Sequence, residues 1–194
     1  MDEKLDWSEH IKNCNAKISS AFYAIHSSKK YLISDHLLML YNALVYPYPS
    51  YGILLWGATY QTHTDKVIIL QKKAIRTVAQ MPYNSHTYMI FKQLHILKFI
   101  DIYNLYLGKY MYLQINKILP EPLLRCQSLC RDIHSHNTRQ ISLLHKQTRR
   151  TVFVANSFIH KGPDYWNSLP EIIKTSLTVT SFNTRHKYYL LNKS

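Results

Sequence analysis

Glycine is scarce in this chain, which has only 4 among 194 residues. Sandwiches and barrels need many glycine-rich turns, so the scarcity disfavours them. Most apolar residues recur at spacings of three and four, which is typical of amphipathic helices. The hydrophobic content of 46% is that of a folded chain and not of a disordered polar tail. We therefore expect a mainly α fold.

Acidic residues are also few, and they are scattered. A two-metal polymerase or nuclease site needs clustered carboxylates to hold Mg²⁺. The one adjacent acidic pair, Asp2 and Glu3, stands at the start of the sequence. The sequence has no glycine-rich phosphate loop, no HExxH motif and no GxSxG motif. We expect no catalysis by this chain alone and no cofactor bound to it.

Basic residues outnumber the acids, with 24 lysines and arginines against 11, for a formal net charge of +13. Such an excess attracts polyanions, so we expect RNA and DNA as partners ahead of an anionic membrane. Six side chains are expected to contact phosphates without reading the base sequence. They are Lys72, Lys73, Arg76, Arg139, Arg149 and Arg150. The alternative is that each of these cations is simply solvated.

Cysteine is rare and gives no disulfide framework, since the chain has three. The start, MDEKLDWSEH, is too charged for a secretory signal peptide. Together these features predict an intracellular protein, nuclear or cytoplasmic.

A possible metal site is the spacing C-x3-C-x3-H-x-H formed by Cys126, Cys130, His134 and His136. Zinc fingers and knuckles use tighter cysteine pairs and a wider loop before the histidines. We therefore favour free thiols in a loop and expect no metal, with zinc as the weaker alternative.

One segment, residues 37–64, runs for 28 residues without a charged side chain. It has the length of a membrane span, which needs about 20 apolar residues. Its Asn42, its two prolines and its five tyrosines argue against a span, so we expect no transmembrane helix. We predict a buried helix that stops or kinks at Pro47, with the bend in YPYPSY. A second helical piece, Tyr51 to Trp56, is predicted after Pro49.

Helices are predicted on both sides of this segment. Asp6 can cap one that ends near Ser27, and Ser34 or Asp35 can cap the next. Thr64 can cap a third, whose pattern predicts a buried face and a basic face. The buried face would carry Ile68, Ile69, Lys72, Ile75 and Val78.

Further helices are predicted after the breaker MPYNS, from Ile100 towards Pro120, and from Thr180 onwards. The tyrosines and lysines of DIYNLYLGKYMYLQINKIL could stack nucleic-acid bases, but tyrosine at helical spacing is more often core lining. The stretch ISLLHKQTRRTVFVANSFIHKG is expected to form short strands or extended arms, which makes the C-terminal part partly irregular.

Several pieces of the sequence follow one another in a recognisable order. They are LDWSEHIKNCNAKIS, LLMLYNALVYPYPSYGILLWG, LQKKAIRTV, FKQLHILKFIDIY, HSHNTRQ, and GPDYWNSLP followed by SFNTRHKYYL. In this order they resemble the region that follows the polymerase core in jockey-like non-LTR retrotransposon (LINE) reverse transcriptases. The resemblance covers nearly the whole chain.

The resemblance implies a helical thumb-like bundle over residues 1–119 and a basic C-terminal extension over 120–194, which carries H-x-H-N-T-R and P-x-x-W-N-x-L-P. In such proteins this region helps to grip template RNA and primer DNA during target-primed reverse transcription. The catalytic aspartates, the Mg²⁺ they hold and the endonuclease belong to parts of the family that precede it. The chain would then be a fragment of an RNA-directed DNA polymerase, a truncated element or a fragmentary gene model.

The resemblance also carries over residues whose expected role is architectural. Trp7 and His10 would open the first helix. A kinked core pair of helices would be marked by Tyr41, Pro47, Tyr51 and Trp56. The C-terminal part would be locked onto its neighbour by Trp166, Asn167 and Pro170.

Two other functions stay open from the sequence. The chain could be a structural or protein-interaction module, for instance one that binds the rest of a reverse transcriptase, or a decayed product without function. A membrane protein is the third and least favoured hypothesis.

Overall fold

The computed structural model describes residues 7–124, 143–145 and 152–193. Helices make up most of these residues, and no strand ladder occurs among them. In chain order the helices are α1 (Ser8–Ser28), α2 (Ser34–Leu44), α3 (Pro47–Ser50), α4 (Ile53–Trp56), α5 (Gln61–Val78), α6 (Thr87–Gln93), α7 (Phe99–Ile115), α8 (Glu121–Leu124), α9 (Val152–Asn156), α10 (Phe158–Ser168), α11 (Glu171–Lys174) and α12 (Val179–Lys193). The expectation of a mainly α, bundle-like fold is confirmed.

The described residues fall into two compact units. One lies within Met1–Tyr103 together with Leu190–Ser194, and the other within Asn104–Tyr189. Each has a hydrophobic core of its own. The division proposed from sequence, at residues 119 and 120, stays a prediction.

The first unit is centred on α1, α2 and α5, which pack against one another. α1 contributes a stripe of buried residues at spacings of three and four: Ile11, Cys14, Ile18, Ala21 and Ile25. The helical spacing of the apolar residues therefore accounts for the buried face of α1.

The helix of the uncharged segment stops before Pro47, as predicted, and the second helical piece is α4, which begins at Ile53. α2 ends at Leu44, and Pro47 begins the short helix α3, where its missing N–H is not needed. The bend is longer than YPYPSY, because the chain turns again at Gly52, whose φ of 60° places it in the left-handed region. No described helix has the length and hydropathy to cross a bilayer.

The buried face of α5 includes Ile75 and Val78, as predicted, but otherwise differs from the predicted one. The buried residues of α5 are Thr64, Val67, Gln71, Ala74, Ile75, Thr77 and Val78. By contrast, Ile69 is 51% exposed and Lys72 is exposed. The predicted face lay too close to Ile69 and Lys72 and did not include Gln71, whose amide has polar partners in the core.

Helix starts show few side-chain caps. α2 begins after Ile33 and α5 after Tyr60, both without a capping hydrogen bond, so the predicted caps at Ser34 or Asp35 and at Thr64 are wrong. α12 is different, since the Thr178 hydroxyl accepts a hydrogen bond from the Ser181 N–H at 3.1 Å. Asp6, the predicted cap of α1, lies outside the described residues.

The second unit contains residues 104–115 of α7, the helices α10 and α11, and residues 179–189 of α12. The predicted strands or extended arms are wrong for residues 152–162, which lie in α9 and α10. α10 packs on α7, where the Phe158 ring meets that of Tyr110 edge-on at 5.0 Å. Tertiary packing of this kind overrides the strand preference of β-branched and aromatic residues.

Candidate nucleic-acid interface

A basic ridge runs along α5 and consists of Lys66, Lys72, Lys73 and Arg76. Lys66 and Lys72 are exposed, and Lys73 and Arg76 are half-buried. Residues three, four or seven positions apart lie on one side of a helix, so the four cations share one flank. None of them forms an ion pair with a described residue. The ridge is therefore an uncompensated cationic surface.

Arg76 connects this ridge to the turn that follows α5. Its Nε–H donates to the Ser85 carbonyl oxygen at 2.8 Å, and its guanidinium carbon lies 5.8 Å from the centre of the Tyr83 ring. That geometry is a cation–π contact. Arginine has five N–H donors, so others remain for an anion. The Tyr83 side chain is 75% exposed and adds an accessible aromatic face beside the ridge.

A cation also lies beside a tyrosine ring at two other places in the first unit, where the cation is a lysine. The Lys98 ammonium lies 5.0 Å from the Tyr88 ring centre, and the Lys17 ammonium lies 5.6 Å from that of Tyr48. Sequence reasoning missed these pairs, because each joins residues from different elements. Cations held beside aromatic rings suit a ligand that combines phosphates with bases.

Gln71 fixes the position of α5 in the core. Its Nε2 group donates to the Tyr41 hydroxyl and to the Leu97 carbonyl, both at 3.0 Å, and its Oε1 accepts from the Phe99 N–H at 2.9 Å. All four residues are buried. Burial raises the pKa of Tyr41 to about 12, so its hydroxyl stays protonated. The network fastens α5 to α2 and to the start of α7, and so orients the ridge.

The aromatic residues expected to be architectural form a cluster in the first unit. The Trp56 indole Nε1–H donates to the Tyr51 carbonyl at 2.8 Å, and its ring lies 5.3 Å from that of Phe99. The His10 ring lies 5.5 Å from Trp56 and 6.1 Å from Trp7. Burial lowers the pKa of His10, which favours its neutral form.

Not every residue of that predicted set lies in the core. Tyr41 and Trp56 are fully buried, but Pro47 is exposed and the Tyr51 side chain is 76% exposed. Tyr51 contributes its backbone carbonyl, and Pro47 contributes the start of α3. The roles of both residues therefore lie in the backbone.

In the second unit, Trp166 and Asn167 make specific contacts. The Trp166 ring stacks at 5.9 Å on Phe182 of α12. The Asn167 amide donates to the Leu144 carbonyl and accepts from the Leu144 N–H, both at 3.1 Å. Pro170 precedes α11 in an extended conformation. These residues hold α10 against α12 and against the short segment 143–145.

The tyrosines of α7 divide between core and surface. Tyr103, Tyr110 and Tyr112 are buried, which confirms the core reading for them. Tyr106 is half-buried and faces a cleft.

Other predicted site residues lie outside the described residues: Arg139, Arg149, Arg150, Cys126, Cys130, His134 and His136. Within the described ranges, no group of three His, Cys, Asp or Glu side chains could hold a metal ion.

A comparison with known proteins finds one distant similarity of note. The chain is 28% identical over 118 residues to the RNA-directed DNA polymerase from mobile element jockey of Drosophila melanogaster. The match covers 57% of this chain and 12% of that protein, so the chain corresponds to a small part of its length. No protein-family model and no solved structure matches the chain. The similarity supports an origin related to retrotransposon reverse transcriptases.

Proposed function

We propose that this chain is a non-catalytic nucleic-acid-binding portion of a retrotransposon reverse transcriptase, from the thumb-like region and extension that follow the palm. The observation that carries the proposal is the uncompensated cationic ridge of α5 in a chain similar to such a polymerase. In this proposal the catalytic aspartates and their Mg²⁺ belong to the palm, and this chain positions template RNA and primer DNA.

The chemistry of the ridge suits a phosphate backbone. Lysine and arginine side chains that neutralise phosphates release counterions, which supplies sequence-independent affinity. The buried Gln71 network keeps the helix that carries them in one orientation. Tyr83, beside Arg76, offers a ring on which an unpaired base can stack. The ridge would therefore grip a strand without selecting its sequence.

The test replaces Lys72, Lys73 and Arg76 together by glutamine in the full chain. Affinity for a fluorescein-labelled oligouridylate of about 12 nucleotides, a length within known single-strand site sizes, is measured against salt. Each phosphate contact on a single strand contributes about 0.7 to the slope of log affinity against log salt. We expect the slope to fall by up to about 2 in magnitude.

The matched control replaces three exposed lysines that do not belong to α5, Lys12, Lys30 and Lys117, by glutamine. It removes the same charge, so it separates local contacts from the general field of the protein. If the ridge variant and the control variant show the same slope, the ridge is not the interface.

A second candidate function is protein interaction, as with the remainder of a polymerase. It is favoured by large apolar side chains left exposed around the end of α1 and the start of α2, among them Tyr31 at 85%. The others there are Tyr23, Ile33 and Met39. Co-purification with a complete reverse transcriptase that survives nuclease treatment would support this function, and loss on nuclease treatment would support the first.

A further inference from the structure

A cleft of about 270 Å³ opens in the second unit between α7 and α12. Each helix contributes three residues with the same spacing, at positions i, i+1 and i+4. They are Leu105, Tyr106 and Lys109 from α7, and Asn183, Thr184 and Lys187 from α12. The cleft is thus a groove between two helices, and each of its walls is one face of an α-helix.

The spacing of the walls is set on the buried side by Gly108 and His186. The His186 ring lies directly against the Gly108 backbone, where an added methyl group would collide with Cε1 and lie 2.9 Å from Nδ1. The His186 Nε2 atom is hydrogen-bonded to the Tyr165 hydroxyl of α10 at 2.7 Å, which holds the ring in place. A fixed crossing of this kind means that the cleft is formed before any ligand arrives.

The lining is cationic and aromatic. Lys109 and Lys187 provide one ammonium group from each wall, and neither makes a hydrogen bond or ion pair with a described residue. Among the described residues that line the cleft, none is acidic. Tyr106 provides a half-buried ring, and the Thr184 hydroxyl, which donates to the Thr180 carbonyl at 3.0 Å, keeps its oxygen as an acceptor.

The size of the cleft limits what can enter. Pockets for drug-sized ligands span roughly 300–1,000 Å³, so this cleft is at the small end. A base pair within a duplex keeps its faces stacked on its neighbours and cannot present one to Tyr106. An unpaired nucleotide can place its base against a ring while its phosphate meets the ammonium groups.

We propose that the cleft between α7 and α12 receives one nucleotide of a single-stranded nucleic acid, with the base against Tyr106 and Leu105 and the phosphate between Lys109 and Lys187. This assignment rests on the proposed nucleic-acid-binding function and adds a single-strand subsite separate from the ridge of α5. The second unit would then bind unpaired strands selectively, whereas the ridge would bind the phosphate backbone of either single-stranded or duplex nucleic acid.

The experiment compares variants of the full chain on the labelled oligouridylate and on a duplex RNA of equal length. Tyr106→Leu should weaken binding of the single strand by about tenfold, whereas Tyr106→Phe, which keeps the ring, should bind as the wild type does. Lys109→Gln with Lys187→Gln should lower the salt slope on the single strand by about 0.7, because the two lysines share one phosphate. Circular dichroism spectra should show that each variant keeps its helix content.

The outcomes separate this assignment from the proposed function. Suppose that all the cleft variants keep the wild-type affinity and salt slope while the ridge variant loses binding. That result would refute the single-strand subsite in the cleft but would still support the proposed nucleic-acid-binding function. An equal loss on duplex and single strand would also refute the subsite, since general electrostatics would explain the effect. Failure of the wild-type chain to bind either probe would overturn both.

Discussion

Replacement of Gln71 tests whether one buried amide holds α5 in place. Gln71→Met keeps the side-chain volume but removes every polar atom of the amide. The Tyr41 hydroxyl, the Leu97 carbonyl and the Phe99 N–H would each lose a partner inside the core. A buried hydrogen bond contributes about 1 kcal/mol, and a stranded buried group costs about 1–3 kcal/mol. Three stranded groups at this cost give an expected loss of at least about 3 kcal/mol in the free energy of unfolding.

The assay is urea unfolding of the full chain, followed by circular dichroism. Gln61→Met is the matched control, because Gln61 belongs to the same helix and is exposed. A surface change of this kind usually alters stability by less than about 0.5 kcal/mol. Tryptophan fluorescence offers a second probe, to which the fully buried Trp56 indole contributes together with Trp7 and Trp166.

The reasoning would be refuted if the Gln71 and Gln61 variants unfolded at the same urea concentration. That result would mean that water or another group satisfies the stranded atoms at little cost. Loss of oligonucleotide binding by Gln71→Met, with the ridge cations intact, would further show that the network orients the ridge.

Two further predictions concern the crossing of α7 and α12. Burial lowers the pKa of His186 to about 4, and its ring faces Tyr165, Phe182 and the Gly108 backbone. The unfolded chain therefore takes up the proton first, so stability is complete above about pH 6.5 and falls by up to roughly 3 kcal/mol towards pH 4. The urea midpoint should fall less across this pH range in His186→Gln than in the wild-type chain. An equal fall in both would show that His186 is not the group responsible. Gly108→Ala, which would stabilise an open helix by about 1 kcal/mol, should instead destabilise this one by about 1–3 kcal/mol in thermal unfolding. Gly162→Ala, which meets only a flexible Met111 side chain, should cost less, and a stabilised Gly108→Ala would refute the close packing.

Local periodicity predicts the helices whose burial follows one apolar stripe. α1 is the clearest case, because Ile11, Ile18 and Ile25 recur every seven residues and are almost fully buried. The break at Pro47 is equally local, since proline cannot continue the preceding helix. For such elements the sequence contains the necessary information within one or two turns.

The orientation of α5 could not be predicted in this way. Gln71 is buried because Tyr41, Leu97 and Phe99 satisfy it from positions up to 30 residues away. A polar residue with distant partners reads as surface in any local window, and the predicted face, which lay towards Ile69, did not include Gln71.

The helices α9 and α10 show the same dependence on tertiary contacts. Their sequence has β-branched and aromatic residues that favour strands. Phe158 and Gly162 instead pack on Tyr110 and Met111 of α7, and a helix places them at that spacing. The cleft was missed for a related reason, because its six lining residues come from helices more than 70 positions apart in sequence.

The most direct test of the central claim is the salt dependence of single-strand binding by the unaltered chain. Anisotropy of the labelled oligouridylate is followed at salt concentrations between about 50 and 200 mM. With three to five phosphates neutralised, affinity should fall by about ten- to a hundredfold over this range. An absence of binding at the lowest salt, or an affinity that does not change with salt, would contradict the claim that this chain holds nucleic acid.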